Sequence, residues 1–128
     1  MKQKFSTSWK KSAQPRKKRK YIANAPLHIK RKFISSHLSK ELIKKYLRRS
    51  IPLIKGDKVK VARGIFRGKT GKIEKVFTKK TKVYIENCQK TKNDGTKVYC
   101  PVHPSNLIIT ELNLTDKKRK EKLEKKNG

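Results

Sequence analysis

The segment Arg63-Gly64-Ile65-Phe66-Arg67-Gly68-Lys69-Thr70-Gly71-Lys72-Ile73 is the most specific stretch in the chain. Three glycines are spaced four and then three residues apart, with Arg63, Arg67, Lys69 and Lys72 between and around them. Glycine adopts positive φ freely and lets another backbone approach closely, so the stretch reads as a tight basic turn joining two strands. It does not read as a nucleotide-phosphate loop. The Gly68-Lys69-Thr70 triplet lacks a glycine five residues before Gly68, where Arg63 stands, and no G-x-G-x-x-G occurs.

Outward from that turn the hydrophobic pattern has a period of two. Lys58-Val59-Lys60-Val61 alternates as a half-buried strand does. Ile73 to Phe77, Val83 to Glu86, Val98 to Cys100 and Leu107 to Thr110 give four more short β-branched or aromatic runs. Turn signals separate them at Thr78-Lys79-Lys80-Thr81, at Asn93-Asp94-Gly95 and from Pro101 to Asn106. Five short strands in a segment this size predict a mainly β fold, a closed or nearly closed small barrel that leaves few exposed edges. Its expected interior is Val59, Val61, Ile73, Val83, Ile85, Val98 and Leu107, with Ile109 beside them.

The rest of the chain is dominated by charge. The 128 residues hold 38 Lys and Arg against 9 Asp and Glu, a net charge of +29. Residues 1–50 contain 17 basic residues and one acidic residue, Glu41. Residues 51–115 have a net charge of +9 and residues 116–128 of +4. Self-repulsion of this size opposes folding unless a polyanion supplies counter-charge, and nucleic acid is the natural one. No apolar run exceeds three residues, so neither a transmembrane helix nor a signal-peptide core is expected. The chain divides into a basic N-terminal extension (1–50), a barrel (51–115) and a short charged C-terminal tail (116–128).

The run Arg16-Lys17-Lys18-Arg19-Lys20 is a block of the kind that stays disordered in isolation and orders on a polyanion. Two short helices are expected in the extension. One spans about Leu27 to Ile34. The other follows Ser39 as N-cap, with Glu41 in its first turn, Leu38 and Ile43 as a hydrophobic staple and Glu41–Lys45 as an i,i+4 pair. Leu42, Ile43, Tyr46 and Leu47 form one face, too small to be stable unless it docks on the barrel or on RNA.

Candidate chemistry is sparse. Cys88, Cys100 and His103 form C-x11-C-x2-H, which matches no common zinc spacing, and Cys100 reads as a small core residue. The histidines His28, His37 and His103 have no partner at useful spacing for acid–base work. No cofactor and no enzymatic activity are expected. The aromatics Trp9, Tyr21, Phe33 and Phe66 lie within or beside basic clusters, where they either stack on unpaired bases or pack the arm onto the barrel.

Strand, Gly64-x-x-x-Gly68-x-x-Gly71-x-Ile73 and a second strand resemble the KOW motif of ribosomal proteins and transcription elongation factors. The stretch Asn24-Ala25-Pro26-Leu27-His28-Ile29-Lys30-Arg31-Lys32 precedes it, as do Ser35-Ser36-His37-Leu38-Ser39-Lys40-Glu41-Leu42 and Lys45-Tyr46. His103-Pro104-Ser105-Asn106 follows it. With these the chain closely resembles the universal large-subunit ribosomal protein family L-twenty-four, called L-twenty-six in eukaryotes, of the archaeal and eukaryotic type. The resemblance covers roughly residues 12–120. It departs at the C-terminus, where the eukaryotic form carries a longer charged tail.

The resemblance implies an SH3-like barrel with basic extensions, bound to the 5′ domain of large-subunit rRNA near the peptide exit tunnel and joining the particle early in assembly. The implied partners are that rRNA and neighbouring ribosomal proteins, without membrane, small-molecule substrate or self-association. The implied location is the cytoplasm, and the nucleolus during assembly in a eukaryote. Residues assigned to RNA are Arg16, Lys17, Lys18, Arg19 and Lys20 of the arm, then His28, Lys30, Arg31 and Lys32, then Arg48 and Arg49. The glycine loop adds Arg63, Gly64, Phe66, Arg67, Gly68, Lys69, Gly71 and Lys72, and the next turn adds Lys79 and Lys80. The alternative reading is a KOW-type RNA-binding module of a transcription or RNA-processing factor.

Overall fold

A computed structural model of the chain describes residues 5–9 and 11–125. Residues 1–4, Lys10 and 126–128 of the expected arm and tail lie outside the described residues. The elements run α1 (Pro15–Asn24), α2 (Leu27–Phe33), β1 (Ser35–Leu38), α3 (Lys40–Tyr46), β2 (Ser50–Pro52), β3 (Lys58–Val61), β4 (Thr70–Phe77), β5 (Lys82–Thr91), β6 (Lys97–Val102), β7 (Leu107–Glu111) and α4 (Lys117–Glu124). Short 3-10 turns occupy Thr78–Lys80 and Pro104–Asn106.

The strands form one seven-stranded sheet in the order β2-β1-β7-β3-β4-β5-β6. Neighbours are antiparallel except β1 and β7, which pair in parallel with His37 beside Ile108. Register shifts between Ile73 and Lys75, and between Tyr84 and Gln89, bend β4 and β5 sharply. The result is a small, barrel-like β domain. All five expected strands are present, and β3 has the expected bounds.

The alternation places the core as expected at seven positions. Val59, Val61, Ile73, Val83, Ile85, Leu107 and Ile109 are all buried. Val98 is not, and Cys100 is only half-buried. Beyond the register shift at Tyr84 and Gln89, the outer halves of β5 and β6 pair only with each other, with Val98 opposite Lys90. Cys88 is the buried residue of that stretch instead, while Val102 is buried on the inner side of the shift, opposite Val83.

The sheet is not confined to residues 51–115. The extension contributes β1 and the start of β2, together with three helices where two were expected. Ile34, Leu38, Ile51 and Leu53 belong to the hydrophobic core. Buried Ser36 donates its hydroxyl proton to the Pro104 carbonyl at 2.6 Å, fixing β1 to the turn before β7. α3 starts at Ser39, whose Oγ accepts from the Leu42 amide at 3.4 Å. Leu42, Ile43 and Tyr46 pack on the core, so the helix docks on the sheet. Leu47 instead leaves that face: it ends α3 in the left-handed region at φ 55° and is 69% exposed. The expected Glu41–Lys45 pair does not close within 4 Å, and Lys45 Nζ lies 5.3 Å from the Tyr46 ring centre.

The C-terminal segment is a docked helix rather than a free tail. Asp116 caps α4 by accepting from the Lys118 amide at 3.1 Å. Arg119 makes two 2.7 Å bonds to the two carboxylate oxygens of Asp57. It also donates to the carbonyls of Asn113 at 2.8 Å and Pro52 at 3.2 Å. Asp57 is fully buried, and it accepts the amides of Ile54 at 3.1 Å and Asn113 at 2.8 Å. Leu123, one turn on, is buried in the core.

Candidate nucleic-acid interface

The glycine loop closes the β3–β4 hairpin. Val61 N–H donates to the Lys69 carbonyl at 2.9 Å and Gly68 N–H to the Val61 carbonyl at 2.8 Å. Gly64 and Gly68 have φ near +98° and +88°, which is why the turn needs glycine there. Gly71 serves otherwise. It sits in β4, where a Cβ would lie 3.1 Å from Ile85 Cγ2, so its missing side chain lets β5 cross closely. Arg63, Arg67, Lys69 and Lys72 are all exposed, and Ile65 at the loop tip is 95% exposed. Phe66 is half-buried against the core with Lys69 Nζ over its ring at 5.2 Å. Phe66 therefore packs on the core from the loop.

Beside the loop runs a groove of about 290 Å³ between Arg63–Phe66 and the β6–β7 corner, with Lys82 and His103 on its far side. Burial, and then the charge of Lys82, hold His103 below its ordinary value of 6.5. His103 Nδ1 accepts the Ser105 amide at 3.2 Å, which leaves Nε2 as the protonated nitrogen of the neutral ring. Lys82 and Asn106 were missed by the sequence reading. Only the pairing of β5 with β6 and the closure of Ala62 N–H onto the Asn106 carbonyl at 2.8 Å bring them to this loop.

A second basic grouping forms where α2 packs on the Thr78–Lys80 turn. Lys30 Nζ donates to the Lys79 carbonyl at 3.2 Å, while His28, Arg31, Lys32, Lys79 and Lys80 are exposed around it or on the same helix. Lys80 and Lys75 both lie 5.7 Å from the Phe77 ring. Arg16 to Lys20 all lie exposed on α1, which begins with Pro15 at its first position. Arg48 and Arg49 are engaged within the protein. Arg48 donates to the Lys122 carbonyl at 2.6 Å and Arg49 Nε to His37 Nε2 at 3.3 Å.

Trp9, Tyr21 and Phe33 pack together with Phe5. Tyr21 stacks on Trp9 at 4.6 Å and approaches Phe5 at 4.8 Å and Phe33 at 6.1 Å. Among the described residues no three His, Cys, Asp or Glu side chains gather in a way that would hold a metal. The buried Cys88 thiol is pushed up, mainly by burial, against a smaller lowering by Lys69.

The family model for the ribosomal proteins called L26 in eukaryotes, and L-twenty-four in archaea, matches residues 12–126. The chain belongs to this family. Among its relatives is a protein of Methanosphaera stadtmanae named large ribosomal subunit protein uL24. It is 46% identical over 115 residues, covering 90% of this chain and 98% of the relative. A protein of Korarchaeum cryptofilum with the same name is 47% identical over 116 residues, covering 91% of this chain and 88% of the relative. The family span takes in every helix and strand from α1 to α4. Phe5 and Trp9 precede it.

Proposed function

We propose that this chain is a structural, non-catalytic component of the large ribosomal subunit that binds large-subunit rRNA. The finer reading follows the family: contact with the 5′ domain near the peptide exit tunnel, early entry into the assembling particle, and a KOW element in an SH3-like barrel. The glycine turn between β3 and β4 within a barrel-like sheet supports the last point.

The observation that carries the RNA reading is the unneutralised charge of the folded chain. Among the described residues two ion pairs form, Lys58–Glu111 and Arg119–Asp57, against 38 basic side chains in the sequence. Among the described cations outside these pairs, Arg16 to Lys20 on α1, Arg31 and Lys32 on α2 with Lys79 and Lys80 beside them, and Arg63, Arg67, Lys69 and Lys72 of the glycine loop are exposed. Lys and Arg on these surfaces contact phosphates and release condensed counterions, which fixes orientation without reading sequence. Discrimination then comes from the shape of the folded RNA and from stacked, unpaired bases.

The test is the salt dependence of affinity for a large-subunit rRNA fragment. Replacing Arg16, Lys17, Lys18, Arg19 and Lys20 together by Gln keeps good helix formers on α1. Each lost phosphate contact lowers the log–log slope by about 0.7–0.9, so the slope should fall by about 4. An unchanged slope sinks the arm's role. Co-sedimentation with large subunits after a high-salt wash separates this reading from a transcription-factor module, which would wash away.

A further inference from the structure

The arm contains a cleft against one face of α1, apart from the barrel strands. It has a volume of about 280 Å³ and is walled by Phe5, Trp9 and Tyr21, with Lys17, Lys20 and Asn24 along its floor. Lys17, Lys20, Tyr21 and Asn24 fall at i, i+3, i+4 and i+7, so one face of α1 presents all four. The 5–9 segment folds back over that face and is held there by the ring contacts of Tyr21 with Phe5 and Trp9. The rings are only half-buried. Three aromatic rings therefore meet at the surface of the most highly charged part of the chain.

We propose that this cleft binds a single unpaired nucleotide of RNA, its base stacked on the Trp9–Tyr21 wall, its phosphate taken by Lys17 and Lys20, and its base edge reached by the Asn24 amide. The proposal rests on the RNA-binding reading above and adds a site to it. The choice of occupant follows from the lining. Flat π faces accept any base and are sequence-tolerant. Two ammonium groups beside the rings repel a cationic ligand, which excludes the aromatic-cage chemistry of quaternary ammonium groups. An acidic peptide would satisfy the lysines but leave the stacking faces wet. A base joined to a phosphate satisfies both.

Trp9 is the single tryptophan of the chain, so intrinsic fluorescence above the tyrosine band reports this cleft alone. The experiment titrates the full chain with two RNA hairpins that are identical except for one bulged adenosine. Affinity is measured by filter binding and Trp9 emission in parallel. The expected result is that both hairpins bind, while only the bulged one quenches Trp9 and binds tighter, by about tenfold, the worth of one base stack. Lys17→Gln with Lys20→Gln, which leaves the wall intact, should shrink that preference, and Tyr21→Ala should abolish both the preference and the quench. Equal affinity and equal emission for the two hairpins, with binding itself intact, overturns the cleft and leaves the RNA-binding reading standing. Loss of binding to both overturns that reading and the cleft with it.

Discussion

Replacing Arg119 by Met should detach α4 from the sheet, because its guanidinium is the polar anchor of that helix. The side chain makes four hydrogen bonds, two of them at 2.7 Å to Asp57, and is 8% exposed, whereas Asp57 is 0% exposed. Removing one member of a buried ion pair costs about 3–5 kcal/mol, since the charge left behind keeps its desolvation penalty. Here Asp57 retains two amide donors, from Ile54 and Asn113. Those donors place the cost near the lower end, at about 3 kcal/mol. That is a large share of the roughly 5–15 kcal/mol expected for a domain, and it corresponds to about two orders of magnitude in an opening equilibrium. Urea unfolding followed by circular dichroism gives the global loss, and amide exchange across Lys120–Glu124 gives the local one. Asp57→Ala should cost more, because it strands the guanidinium and two backbone amides together. Combining the two substitutions should cost less than their sum, the unpaired charge having gone. A wild-type urea midpoint with unchanged protection in α4 for Arg119→Met would refute this account of how the C-terminus is held.

Four further outcomes follow from backbone geometry and from the protonation of one ring. Leu47→Gly should raise stability by about 1 kcal/mol in urea, because Leu47 holds a left-handed conformation while exposing its side chain. Gly68→Ala should cost about 1 kcal/mol through φ alone, since a Cβ there meets nothing within 4 Å, and Gly68→Asn should recover most of it. Gly71 should behave oppositely, with Asn worse than Ala, because even an added Cβ would crowd Ile85 and Asn87. His103 is held below 6.5 in the fold, so the unfolded chain binds more protons just below that pH. Its contribution to stability is therefore full above 6.5 and declines as the pH falls through the unfolded value. His103→Asn, whose side-chain oxygen can accept the Ser105 amide at any pH, should flatten that part of the pH profile of the melting temperature.

The parts of the fold that were legible from sequence are those set by near neighbours. Val59 and Val61, two residues apart, announce a strand, and Gly64 and Gly68 announce the turn that follows it. β1 was not legible, because Ser35-Ser36-His37-Leu38 is polar at three of four positions and becomes a strand only by pairing with β7 and β2. Arg119 looks like every other cation of Lys117-Lys118-Arg119-Lys120. What distinguishes it is Asp57, 62 residues away, and no local pattern points there. Val98 failed for the opposite reason: its strand pattern was correct, but the bend in β5 takes it away from the core. In the candidate interface, the sequence singles out the basic and aromatic residues as candidates. It did not pair Trp9 with Tyr21, or set Lys82 beside the glycine loop, because both depend on how the chain returns on itself.

The parallel pairing of His37 with Ile108 has a consequence for the order in which the chain can fold. The run from β3 to β6 pairs each strand with the next one to be synthesised, so it can form as it emerges. β1 cannot complete the sheet until β7 exists, and Asp57 lacks its guanidinium partner until residue 119 arrives. Long-range closures of this kind are slow, because loop entropy is lost before any contact is gained. The N-terminal third of the chain is thus made first and fixed last. During that interval its cationic surface is free to meet an anionic partner before its own fold is finished.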